Sequence, residues 1–191
     1  DDVPPEEVSA FYARQIFSLG DEALNRRLEA VWGKLRNTPE EKVTLIQAWQ
    51  EKLTPSVLAA ADPAHGQTVF ERTCSSCHSM RGRGGNLGPE LDGANRRDLF
   101  YLLENIIDPS AVLPQDYRMN IFTLKDGRTL SGTVSAETRH TVTLAMLDRV
   151  EVIPVSEIES RQVLEQSIMP EGLIQSLKDT EVQDLMAFLQ Q

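Results

Sequence analysis

Apolar positions recur at helical spacing through the first quarter of the chain. Val8, Phe11, Tyr12, Ile16 and Leu19 form one set, Leu24, Leu28, Val31, Trp32 and Leu35 a second, and Val43, Ile46, Trp49 and Leu53 a third. Spacing of three and four predicts three short amphipathic helices over residues 6–53. The punctuation agrees. Pro4-Pro5 precede an acidic first turn at Glu6-Glu7, Gly20 and Asp21 separate the first two helices, and Thr38-Pro39-Glu40-Glu41 opens the third with Thr38 as N-cap. Residues 54–63 are rich in alanine and proline and read as a linker. Further helical patterns run over residues 64–73, Arg96–Ile107 (stopped by Asp108-Pro109) and about Asp179 to Gln190.

Between Met119 and Leu164 the period changes from about four to two. Met119, Ile121, Phe122 and Leu124 lead to Asp126-Gly127, a hairpin signal. Leu130, Gly132 and Val134 alternate with polar residues, as do Val142, Leu144 and Met146. Val150, Val152 and Ile153 form another short run, followed by Ile158 and Val163-Leu164. This predicts a β-meander of four or five strands over about residues 117–165, a small sheet or barrel.

Charge narrows the partners. The 191 residues carry 29 acidic and 19 basic side chains, a formal net charge of −10. An acidic surface disfavours nucleic acid and anionic membranes, including RNA at the β-module, and suits a partner with a basic docking patch. No apolar run approaches the ~20 residues that span a bilayer. No secretory leader is visible, and Asp1-Asp2-Val3-Pro4-Pro5 reads as a processed or cut end.

The chemistry concentrates in Cys74-Ser75-Ser76-Cys77-His78, which holds both cysteines of the chain. C-x-x-C-H is the attachment spacing of a c-type haem: two thiols for thioethers, and a histidine placed to ligate iron. The same pair could form a structural disulfide or a thioredoxin-like centre, although the flanks are helical and glycine-rich rather than βαβ. Zinc would need two more ligands, and only His65 and His140 remain. Haem attachment to this motif takes place outside the cytoplasm, so the motif implies a periplasmic or other extracytoplasmic setting.

Residues 62–191 resemble the c-type cytochrome domain found near the C-terminal end of large dehydrogenase-like proteins of planctomycete bacteria. The matching stretches are Gly66 to Phe70, Cys74 to His78, Leu87-Gly88-Pro89-Glu90-Leu91, Ile107-Asp108-Pro109-Ser110, Asp126-Gly127-Arg128 and Ser167 to Leu173. The resemblance implies a mainly α single-haem cytochrome c fold with an inserted small antiparallel β-module, α+β overall, and an N-terminal helical appendage. The division would be an appendage and linker at 1–61, then a haem domain at 62–191 interrupted at about 117–165.

The resemblance also implies roles. Cys74 and Cys77 anchor one covalent haem c, and His78 is the proximal iron ligand. The carbonyl of Pro89 accepts a hydrogen bond from the outer ring nitrogen of His78, and Leu91 presses on the porphyrin face. Gly66 and Phe70 cross Leu185 and Phe188 of the last helix. Among Met80, Met119, Met146, Met169, Met186, His65 and His140, the Met169-Pro170 pair stands in the usual distal position, so Met169 is the expected sixth ligand. Tyr101, Arg96 and Arg118 are candidates for the propionates. The implied function is periplasmic electron transfer, not substrate turnover, with a redox partner protein or a fused dehydrogenase domain. The alternative is a gas-binding or redox-sensing haem with a labile methionine.

Overall fold

The computed structural model of the protein describes residues 7–191; the proline signal at Pro4-Pro5 and the first of the two acidic residues after it lie outside that range. Seven helices are formed by the described residues: α1 (Ala10–Ser18), α2 (Glu22–Val31), α3 (Glu40–Lys52), α4 (Pro55–Ala60), α5 (Pro63–Thr73), α6 (Leu99–Ile107) and α7 (Asp179–Leu189). Local chemistry sets most of their ends. Asp21 accepts from the N–H groups of Ala23 and Leu24 at 2.9 and 3.0 Å and so caps α2. Asp62 caps α5 and Asp98 caps α6 in the same way.

Three expectations about the first 63 residues change. The second helix stops at Val31, and Gly33–Leu35 becomes strand β1, because it pairs antiparallel with β4 (Val112–Pro114). A Cβ on Gly33 would overlap the Leu113 carbonyl oxygen, so glycine is what permits the two strands to meet there. Thr38 does not cap α3; Pro39 holds that position, and the Thr38 hydroxyl donates to Glu104 at 3.1 Å. The stretch read as a linker contains α4, capped by Thr54, whose hydroxyl accepts from the Val57 N–H at 3.3 Å.

A mainly α fold is overturned. Five strands, β5 (Arg118–Leu124), β6 (Thr129–Glu137), β7 (Thr141–Ala145), β8 (Val150–Pro154) and β9 (Ile158–Ser167), form an antiparallel sheet in the order β8-β7-β6-β5-β9. The short pairs β2 (Ser79–Met80) with β3 (Arg83–Gly84), and β1 with β4, add further strand. The physical reason is that the sheet buries its own apolar face. Phe122, Leu124, Leu130, Val142, Leu144 and Ile153 form a core separate from that of the helices. Breaks in register between β5 and β9 and between β6 and β7 mark bulges or irregularities in the sheet.

The helical core joins distant parts of the chain. Ile46 and Trp49 from α3 and Leu53 just after it lie in one cluster with Val69 and Phe70 from α5, Leu103 and Ile107 from α6, and Leu185, Met186 and Phe188 from α7. Helices α5 and α7 cross closely at Gly66, where a Cβ would overlap the Asp184 carbonyl oxygen. Beside that point the rings of Phe70 and Phe188 lie 5.6 Å apart. A smaller cluster of Ala13, Leu28, Trp32 and Leu35 closes over Ala111 and Val112, so the N-terminal helices rest on the segment after α6. Two ion pairs fasten the same contact: Arg14 to Glu104 at 2.6 Å and Arg36 to Asp108 at 2.7 Å.

Candidate haem site

Helix α5 delivers the thiol pair. The N–H groups of Cys74 and Ser75 donate to the Phe70 carbonyl, and those of Cys77 and His78 donate to the Cys74 carbonyl at 3.1 and 2.9 Å. The motif is therefore one more turn after the helix. Cys74, Cys77 and His78, at i, i+3 and i+4, fall on one side of it.

The glycine-rich loop then wraps this turn. Gly85 donates to the Ser75 carbonyl and Gly88 to the Cys77 carbonyl, each at 2.8 Å. Gly88 is packed against the imidazole; a Cβ there would come within 2.6 Å of the His78 Cε1. The loop ends by presenting the Pro89 carbonyl 2.8 Å from His78 Nδ1. A carbonyl can only accept, so Nδ1 carries the proton and Nε2 keeps its lone pair. Burial lowers the His78 pKa below its ordinary 6.5, and the Pro89 bond offsets part of that shift. A neutral imidazole with a fixed tautomer is the form that binds a metal.

The thiols are unpaired with each other. Burial, with the neighbouring Cys77 adding to it, pushes the Cys74 thiol up to about 11. A redox-active C-x-x-C needs the opposite, a depressed thiolate pKa. The zinc reading loses its remaining donors. His65 is engaged with Asp184 at 2.7 Å, His140 sits at the turn between β6 and β7, and neither lines the cleft. Among the described residues, no three His, Cys, Asp or Glu side chains cluster as metal donors.

Cys74, Cys77, His78 and Pro89 line a cleft whose other wall is Met169, with Ile168, Pro170 and Leu173 around it. The remaining methionines are placed elsewhere. Met80 and Met186 are buried in the helical core, Met146 packs on the sheet core, and Met119 lies on β5. Leu91 is not part of the cleft lining; it packs against the helical core, and its N–H donates to the Ser79 carbonyl at 2.9 Å. Tyr101, Arg96 and Arg118 do not line the cleft either. Arg96 and Arg118 are bonded to the carbonyls of Leu189 and Leu164.

Sequence reasoning missed several wall residues. Asn105 of α6, Leu113 and Pro114 of β4, and Tyr117 just before β5 all face the cleft. The only signal for them is position: Pro109 stops α6 and turns the chain back across the opening. No period or motif marks Leu113, whose place depends on pairing with Lys34 of β1.

The donor set fits a covalently held haem: two thiols and an imidazole on one wall, a thioether on the other, and mostly apolar side chains between them. No curated protein matches the chain. Residues 63–191 match the Cytochrome c family. With more than half of its length inside that match, the chain belongs to the cytochrome c family, whose modules hold haem c covalently and carry electrons rather than turn over a substrate.

Proposed function

We propose that this protein carries one haem c, which Cys74 and Cys77 would attach and whose iron His78 and Met169 would hold, and that it passes single electrons in an extracytoplasmic compartment. The observation that carries the reading is the shared cleft: both thiols, the oriented imidazole and the Met169 side chain line the same opening. When bound, haem c supplies a one-electron ferric–ferrous couple.

The protein's own groups do the rest. His78 offers Nε2 because Pro89 holds the proton on Nδ1. Met169, a soft neutral donor, favours the ferrous state over the ferric and sets the potential on the higher side. Ile168, Leu173 and Val112 keep the surroundings apolar and limit water. The resemblance to cytochrome domains of large dehydrogenase-like proteins supports a dehydrogenase, separate or fused, as the electron donor. C-x-x-C-H attachment chemistry supports the periplasm as the setting.

The test is the mass and the ferric optical spectrum of the purified protein. The expected results are one covalent haem and a weak sulfur-to-iron band at the red edge, lost in Met169→Ala. A wild-type spectrum without that band would overturn the Met169 assignment and favour an open, ligand-sensing iron.

A further inference from the structure

Lys42 lies on α3, outside the residues matched to the family. Its Nζ donates to Asp108 Oδ1 at 2.8 Å and to Glu171 Oε1 at 2.7 Å. The two carboxylates belong to the two turns that close the far wall of the cleft. Asp108 precedes Pro109, and Glu171 follows Pro170; both prolines line the cleft.

The segment around Met169 is held on its other side as well. The Ser167 N–H donates to the Ser110 hydroxyl, and the Met169 N–H donates to the Ser167 hydroxyl, each at 3.1 Å. Residues 167–171 are thus tied twice to residues 108–110, once directly by serines and once through Lys42. The serine tie is contained within the matched segment. The lysine tie is brought in from a helix that the family match leaves out.

We infer that Lys42 is a positioning residue for Met169, bridging Asp108 and Glu171 so that the distal loop stays closed over the haem cleft. The inference rests on the proposed His78 and Met169 ligation. The Asp108 arm of the bridge differs from the ordinary surface pairs of this chain, while the Glu171 arm ends on a carboxylate that is 54 % exposed. The Asp108 side chain is fully buried and the Lys42 side chain is only 18 % exposed. Charge-assisted bonds in such a place are stronger than exposed ones. The Lys52–Asp179 pair on the same helix, with both partners more than half exposed, is the internal contrast. Removing the Lys42 charge breaks the bridge and leaves Asp108 and Glu171 without the cation between them. Arg36 still holds Asp108 through two bonds of 2.7 Å, so the fold does not depend on Lys42 alone.

The experiment uses the ferric holoprotein of this whole chain and imidazole as a competitor for the Met169 position. Lys42→Gln is expected to tighten apparent imidazole binding about threefold, the scale of one half-exposed ion pair, and to weaken the sulfur-to-iron band. Lys42→Arg should restore both. Glu171→Gln should act in the same direction, and the double variant should add little to either single one, because both remove the same bridge. Lys52→Gln should leave imidazole binding at the wild-type value.

Wild-type imidazole binding in Lys42→Gln would overturn the inference, as would an equal shift in Lys52→Gln. If Lys42→Gln does not fold, Glu171→Gln decides alone by the same criterion. Failure of the underlying ligation shows separately, as a wild-type protein that lacks the band before any substitution is made.

Discussion

The sheet and the helical region are assembled from different kinds of contact. In the sheet, β5, β6 and β7 each pair with the next strand along the chain, β8 ends the run at one edge, and β9 returns to an earlier strand, beside β5. In the helical region the partners are far apart in sequence: α3 packs on α6, α5 crosses α7, and β1 pairs with β4. The buried sheet core lies within residues 122–153, and the buried helical core within residues 46–189, drawn from six segments. The cleft belongs almost wholly to the second kind of assembly. Of the five sheet strands, only Ser167, the last residue of β9, lines it. The meander packs on a core of its own, while the candidate haem cleft sits where distant segments converge.

That contrast can be broken most sharply in the sheet. Phe122 is fully buried in the sheet core. Phe122→Ala should cost about 3–5 kcal/mol of sheet stability. Hydrogen exchange should accelerate in β5 to β9 and stay slow in α5 and α7. Equal acceleration in both would mean that the two cores unfold as one unit, and the distinction would fall.

The reciprocal change is Gly66→Ala, which places a methyl group against the Asp184 carbonyl where α5 crosses α7. The expected cost is roughly 1–3 kcal/mol, confined to the helical region. Both tryptophans, Trp32 and Trp49, are buried in the helical part of the molecule. Urea unfolding followed by tryptophan fluorescence should therefore shift to lower midpoint, with little change in exchange from the sheet.

Acid gives a gentler separation. Burial raises the Asp108 pKa, but its bonds to Arg36 and Lys42 outweigh that, and the net shift is below the ordinary 3.8. A carboxylate whose folded pKa is depressed contributes stability above its unfolded value and loses it as pH falls through the folded one. Acidification below about pH 4 should loosen the α3–α6 contact first. In Asp108→Asn the same stretch of the pH–stability curve should be flatter.

Much of this protein was legible in residues close together in sequence. The alternation at Leu130, Gly132 and Val134 lies on β6, and Asp126-Gly127 lies at the turn between β5 and β6. The His78 to Pro89 bond spans eleven residues and follows from a glycine loop that wraps one helical turn. The misreadings share a cause. Gly33–Leu35 continued a helical period and became a strand because β4 was there to pair with it. The extent of sheet was underweighted because helical patterns dominate both ends of the chain.

By itself the sequence determined the turn that puts Cys74, Cys77 and His78 on one side, the Asp126-Gly127 hairpin and the Asp21 cap. These depend on dihedral preference, periodicity and hydrogen bonds between near neighbours, which short stretches encode. Only the tertiary structure decided which segments close the cleft. The β1–β4 pairing, the Ser110–Ser167 tie and the Lys42 bridge join residues 57 to 129 positions apart. A lysine, a serine or a short apolar run carries no mark of its distant partner. The partner is selected when the helical core brings α3, α6 and the Met169 loop together.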